Sequence, residues 1–148
     1  MPARLITPLL KEFILEKTDI LLNNEGEPTK VTIRQATQAQ HTLRADKYAN
    51  LVQEINKGEP DVNRYITRFS QFELMRTETY LTMVGCNLLD PDGDPVFKFK
   101  QNKNGQMILA MNESEFNDAW GMLPEDVAEE IWEKVREVNI RWKTGGED

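Results

Sequence analysis

The apolar positions of this chain fall into helical stripes separated by turn chemistry, with two short stretches where the period drops to two. The clearest stripe lies near the C-terminus. Val127, Ile131, Val135, Val138 and Trp142 recur at intervals of four, four, three and four residues. That spacing stacks side chains on one helical face. Pro124 precedes the stripe. Glu125 and Asp126 fall in the first turn, where negative charge meets the positive end of the helix dipole. The pattern predicts a helix from Glu125 to Val138, closing on Asn139-Ile140-Arg141-Trp142. Its many glutamates have no patterned partner and read as a solvated face. Just upstream, Ser114 is the candidate cap of a short helix holding Phe116, Ala119 and Trp120.

Two longer helices are predicted earlier in the chain. The first runs from about Thr37 to Asn56, with Tyr48, Leu51, Val52 and Ile55 as its apolar face. Lys57-Gly58-Glu59-Pro60 stops it, because glycine permits a left-handed cap and proline cannot continue the helix. Asp61 then caps a second helix, about Val62 to Val84. Val62, Tyr65, Ile66, Phe69, Phe72 and Met75 form one stripe on it; Leu74, Leu81 and Val84 add another. A period of two appears at Val31 and Ile33, which predicts a short strand near 31–34. It appears again over Val96 to Lys100, with Phe97 and Phe99 opposite Lys98. Asn104-Gly105 and the apolar run Met107 to Ala110 complete a hairpin near 96–110.

The N-terminal segment reads two ways. Thr7-Pro8 looks like a cap followed by proline at the first helical position, with Leu9, Leu10, Phe13 and Ile14 on one face. Phe13 to Glu16 reads equally as a strand. Asn23 to Pro28 is turn chemistry. The expected fold is therefore α+β and mainly α, a compact helical domain with a small β element. An arm spans 1–30, a single domain 31–142, and a tail over 143–148 is expected to fray.

Composition narrows the function classes. The 148 residues suffice for one modest core, and 39% apolar residues argue against disorder. A net charge of −7 repels phosphate, which opposes nucleic-acid binding. Arg64, Arg68 and Arg76 are the only hint of a basic stripe, and Glu73 and Glu78 dilute it. Cys86 is the single cysteine, so no intrachain disulfide forms, and a reducing, cytoplasmic compartment fits. The N-terminus lacks a signal-peptide pattern, and the apolar runs are too short to span a bilayer.

Candidate chemistry mostly fails on spacing. Asp90, Asp92 and Asp94 occupy the first, third and fifth positions of a calcium loop. Pro95 stands where the loop needs glycine, and Gln101 where it needs a bidentate glutamate, so no metal is expected. His41, the only histidine, reads as a helix-surface residue. Cys86 reads as a small buried hydrophobe rather than a nucleophile. No phosphate loop or nucleophile elbow is present, so neither a catalytic residue nor a cofactor is expected. The remaining signal is apolar. Trp120, Met122, Leu123 and Trp132 are candidates for a partner-binding groove, since aromatics and methionine are enriched where proteins grip one another. Burial in the core is the competing reading for them.

The order of elements resembles the tail assembly chaperones of long-tailed, siphovirus-type bacteriophages. The resemblance rests on Val31-Thr32-Ile33-Arg34 leading into a helix and on Arg76-Thr77 in a longer one. It continues through the turn Gly-Cys-Asn-Leu-Leu-Asp-Pro-Asp-Gly-Asp-Pro-Val-Phe from Gly85 to Phe97. Its last part is Phe-x-x-Ala-Trp, Leu-Pro, Val-Ala-Glu-Glu-Ile and Val-Asn followed by Trp, between Phe116 and Trp142. It covers about Val31 to Trp142. It implies a non-enzymatic protein of the host cytoplasm, absent from the mature virion. Such a protein binds and solubilises the tape measure protein until the tail tube polymerises around it. A longer product of ribosomal frameshifting, the tail tube protein and further copies of the chain are the other partners the resemblance allows. The competing class is a small acidic phage or prophage regulator that binds a host protein.

Overall fold

The computed structural model describes residues 9–18, 26–55 and 60–142, and for 50–55 and 60–70 the backbone alone. The elements run β1 (Leu10–Ile14), β2 (Lys30–Arg34), α1 (Gln38–Ile55), α2 (Pro60–Thr82), β3 (Met83–Cys86), β4 (Phe99–Gln101), β5 (Met107–Leu109), α3 (Glu113–Gly121) and α4 (Glu125–Val138). A 3₁₀ turn over Ile140–Trp142 follows. The fold is mixed α+β, with an antiparallel sheet in the order β1-β2-β3 and a separate β4-β5 hairpin.

The segment set apart as an arm is tied into this sheet. Leu10 to Ile14 pair with Arg34 to Lys30 in antiparallel register. The helical option for Leu9 to Ile14 is therefore overturned. Strand pairing decides it: Phe13, opposite Val31, packs against the core, while Lys11, opposite Ile33, keeps its charged end exposed. Leu15 then enters the core with no exposed surface. The cap expected at Thr7-Pro8 and the tail from Lys143 to Asp148 lie outside the described residues, as does the first half of the turn from Asn23 to Pro28.

The second helix ends earlier than its apolar pattern suggested. Met83 and Val84 belong to β3, which follows α2 without a loop. Thr79 and Thr82 turn their hydroxyls back onto the carbonyls of Met75 and Glu78, at 2.9 and 2.8 Å. Back-bonding of this kind weakens a helix, and the β-branched Val84 and then Gly85 favour leaving it. At its other end α2 already includes Pro60, so Asp61 is inside the helix rather than its cap. In α1, Thr37 and Gln40 form a reciprocal cap, Gln40 Oε1 accepting from Thr37 N at 2.8 Å. Tyr48, expected on the buried face of α1, is 43% exposed. The side chains of Leu51, Val52 and Ile55 lie outside the described set.

The hairpin is where the pattern placed it but shorter. Pairing begins at Phe99, opposite Leu109, and ends at Gln101, opposite Met107. Phe97 precedes the strand and is buried. The connection uses five residues rather than a two-residue turn. Gly105 N donates to Asn102 O at 3.0 Å, and Gly105 takes a φ of 78°, the left-handed conformation that glycine adopts freely. The core gathers Val31 and Ile33 from β2, Met75 from α2, Met83 from β3, Leu88 and Phe97 from the long turn, Phe116 from α3, and Val127, Ile131 and Val135 from α4.

Candidate interaction surface

The corner between α3 and α4 holds three of the four residues singled out for partner binding. α3 is capped by Asn112, not by Ser114. Asn112 Oδ1 accepts from Glu115 N at 2.8 Å, and Glu115 Oε1 accepts from Asn112 N at 3.1 Å. This reciprocal box needs a polar cap and a glutamate three residues on, and Asn112 with Glu115 satisfies it. It points Phe116, Ala119 and Trp120 inward. Trp120 stacks on Phe116 with ring centroids 5.8 Å apart, and Phe116 meets Phe97 and Tyr80 at 5.5 and 5.3 Å. Trp120 is buried in that aromatic column.

Two backbone bonds close the corner: Met122 N donates to Ala119 O at 3.2 Å and Leu123 N to Trp120 O at 3.1 Å. Leu123 is half-buried against the core. Met122 is 71% exposed, the highest value of any large apolar side chain among the described residues. It is held between two helices by a connection of three residues, so its position is set by rigid elements. Of the four candidates it is the most exposed: Trp120 is buried, and Leu123 and Trp132 are half-buried.

Trp132 has a different task. Its Nε1 donates to Glu78 Oε1 at 2.6 Å, while Arg44 Nε donates to Glu78 Oε2 at 3.0 Å. The Glu78 side chain has no exposed surface and that of Arg44 only 16%. Burial pushes the Glu78 carboxyl up from the ordinary range, against the opposing pull of the Trp132 and Arg44 donors and the Arg136 charge. Arg136 lies over the Trp132 ring at 4.4 Å. Arg44 also donates through Nη2 to Trp142 O at 3.2 Å and sits over the Tyr48 and Trp142 rings. Trp142 Nε1 in turn donates to His41 Nδ1 at 2.9 Å. His41 is thus a half-buried hydrogen-bond acceptor packed edge-on to Trp142, not the surface residue expected.

Two further polar side chains secure α4. Glu130 is 2% exposed, which corrects the reading of the α4 glutamates as one solvated face. Its Oε1 accepts from Thr18 N and Thr18 Oγ1 at 3.1 and 2.7 Å, and its Oε2 accepts from Lys17 N at 3.2 Å. Asn139 Oδ1 accepts from Ala36 N at 2.8 Å, and its Nδ2 donates to Arg34 O and Val135 O, both at 3.2 Å. None of Glu78, Glu130, Asn139 and Arg44 was assigned a buried polar role from the sequence. Helical spacing could have flagged Glu78, three residues after Met75 and four after Leu74, both buried.

The other chemically suggestive residues are also placed. Asp90 Oδ1 accepts from the backbone N–H of Asp92 and of Asp94, each at 2.9 Å. The acidic run is therefore a self-capped turn. Among the described residues no group of three or more His, Cys, Asp or Glu side chains is placed to hold a metal. Cys86 lies in β3, and burial pushes its thiol up to about 11. No described helix is long and apolar enough to cross a membrane. No protein-family model, no curated protein and no solved structure matches this chain.

Proposed function

We propose that this chain is a tail assembly chaperone of a long-tailed bacteriophage, a binding protein rather than an enzyme. In this reading it holds the tape measure protein in solution in the host cytoplasm and is left behind when the tail is complete. Its other partners would be a longer frameshift product and the tail tube protein. A mixed α+β domain that presents several helices suits such a role. The observation that carries the reading is Met122. It is the most exposed large apolar side chain among the described residues, and it sits inside the stretch from Phe116 to Trp142 that carries the resemblance. Methionine adapts to varied apolar surfaces, which suits a protein that must grip a long partner at many places and later release it. Many weak contacts along one partner give high avidity without a tight single interface.

Co-expression with fragments of the cognate tape measure protein is the test. The chain should carry those fragments into the soluble fraction, and Met122→Asp should reduce the yield while leaving the thermal midpoint of the chain itself unchanged. Tape measure fragments that stay insoluble with the native chain would refute the proposal. Undiminished recovery with Met122→Asp would leave the function standing but remove Met122 from it.

A further inference from the structure

The outward face of the three-stranded sheet carries a groove of about 430 Å³ that shares no residue with the α3–α4 corner. Leu10, Val84, Phe99 and Met107 give it apolar walls, and Arg34 is the one charged lining residue among the described residues. The register explains this arrangement. Val31 and Ile33 face the core, so Thr32 and Arg34 must face outward, with Leu10 opposite Arg34 and Gly85 opposite Thr32. The β4-β5 hairpin supplies the facing wall.

Arg34 is half-buried there, and its buried Nε makes no hydrogen bond among the described residues. Its guanidinium forms no ion pair among the described residues. The acidic residue of β1 on the same face, Glu12, is paired with Lys30 at 4.0 Å. Buried donors left bare are uncommon in folded proteins. A guanidinium fork is the group best matched to a carboxylate. In a chain of net charge −7, this is a local site for an anion with apolar neighbours.

The form of the groove favours a protein segment over a small amphiphile. Leu10 and Met107 at its rim are 53% and 44% exposed, so it is open to solvent. Gly85 and Gly105 line the groove without side chains, letting a foreign backbone approach closely. A side chain at position 85 would press on the Thr32 hydroxyl, whose oxygen lies 3.1 Å from where its Cβ would stand.

We propose that this groove takes an extended segment of a partner protein in which apolar side chains flank one acidic residue, whose carboxylate pairs with Arg34. The proposal does not depend on the function argued above.

The experiment titrates the isotope-labelled full chain with acetyl-Leu-Val-Glu-Val-Leu-amide and follows the backbone amide signals. Shifts should concentrate at Thr32, Arg34, Gly85 and Gln106. A twin peptide with glutamine in place of glutamate should bind about tenfold more weakly, the usual consequence of losing a charge-assisted hydrogen bond. Arg34→Gln should erase the difference between the two peptides. Met107→Asp, at a half-exposed position that folding tolerates, should weaken both. The proposal fails if no groove signal moves at millimolar peptide, or if the two peptides bind the native chain equally. It also fails if decanoate occupies the groove as tightly as the peptide, because the site would then be one for a small amphiphile.

Discussion

Replacing Glu78 by leucine should cost this domain about 3 kcal/mol. The carboxylate accepts from Arg44 Nε at 3.0 Å and from Trp132 Nε1 at 2.6 Å. Hydrogen bonds to a charged group contribute about 1.5–3 kcal/mol each, so their combined loss costs about 3–6 kcal/mol. Two terms offset part of it. Leucine buries apolar surface, a gain of about 1.5–3 kcal/mol for the side chain, and the desolvation that pushes the Glu78 carboxyl up disappears. One term opposes them, since the Arg44 guanidinium stays behind, largely buried and unpaired. Arg44→Met strips Glu78 of its cationic partner and should cost a similar amount. Together the two substitutions should cost less than their sum by about 2 kcal/mol, because neither charge is then left alone. Urea unfolding at neutral pH, followed by circular dichroism, measures all four corners of this cycle. A Glu78→Leu cost below about 1 kcal/mol, or additivity within about 0.5 kcal/mol, would refute the view that this pair couples α1 to α2.

The other predictions follow from the same geometry. The folded-state pKa of Glu78 lies above its unfolded value of about 4.3, so the folded chain binds the proton more tightly. That contribution is complete below the unfolded value and is lost as pH rises through the folded one. The native chain should therefore gain stability relative to Glu78→Gln as pH falls from 7 towards 4, and a difference independent of pH would contradict the raised carboxyl. Trp120→Ala should lower stability by about 3–5 kcal/mol, visible as a large drop in the thermal midpoint, because the ring is stacked in the core; a drop of only a degree or two would place it at the surface. Cys86 in the native fold should react slowly with a thiol reagent at pH 7 and faster as pH approaches 11, its buried thiol being little ionised at neutrality. Rapid labelling at pH 7 would overturn that.

How much of this was legible follows from which contacts are local. The α4 stripe was readable because Val127, Ile131 and Val135 are all buried on one face, and helical period is a property of nearby residues. The hairpin was readable because Asn104-Gly105 carries its own turn geometry. The three-stranded sheet was not. β2 begins well after β1 ends in sequence, β3 arrives after two helices, and Met83-Val84 continues a helical apolar pattern up to the residue where the chain becomes a strand. Partner choice between distant strands leaves no mark on any one of them. The same limit applies to Trp120 and Trp132. Both read as aromatics of one segment, yet Phe97 and Phe116 bury the first, and Glu78, 54 positions away, ties down the second.

That last bond also decides where a partner can bind. α4 is engaged on several sides. Val127, Ile131 and Val135 meet the core, Glu130 holds the turn after β1 through Thr18, Trp132 holds α2 through Glu78, and Asn139 beyond its end holds the link from β2 to α1 through Ala36. A partner that used Trp132 would have to withdraw its indole from a buried carboxylate and take away the donor of Glu78 Oε1, and so would be opposed by the stability of the domain itself. A partner that used Met122 would break none of these bonds, since that side chain is exposed while Trp120 and Leu123 beside it pack inward. Binding that must later be reversed is better placed on such a corner, where affinity can be weak and release leaves the fold untouched.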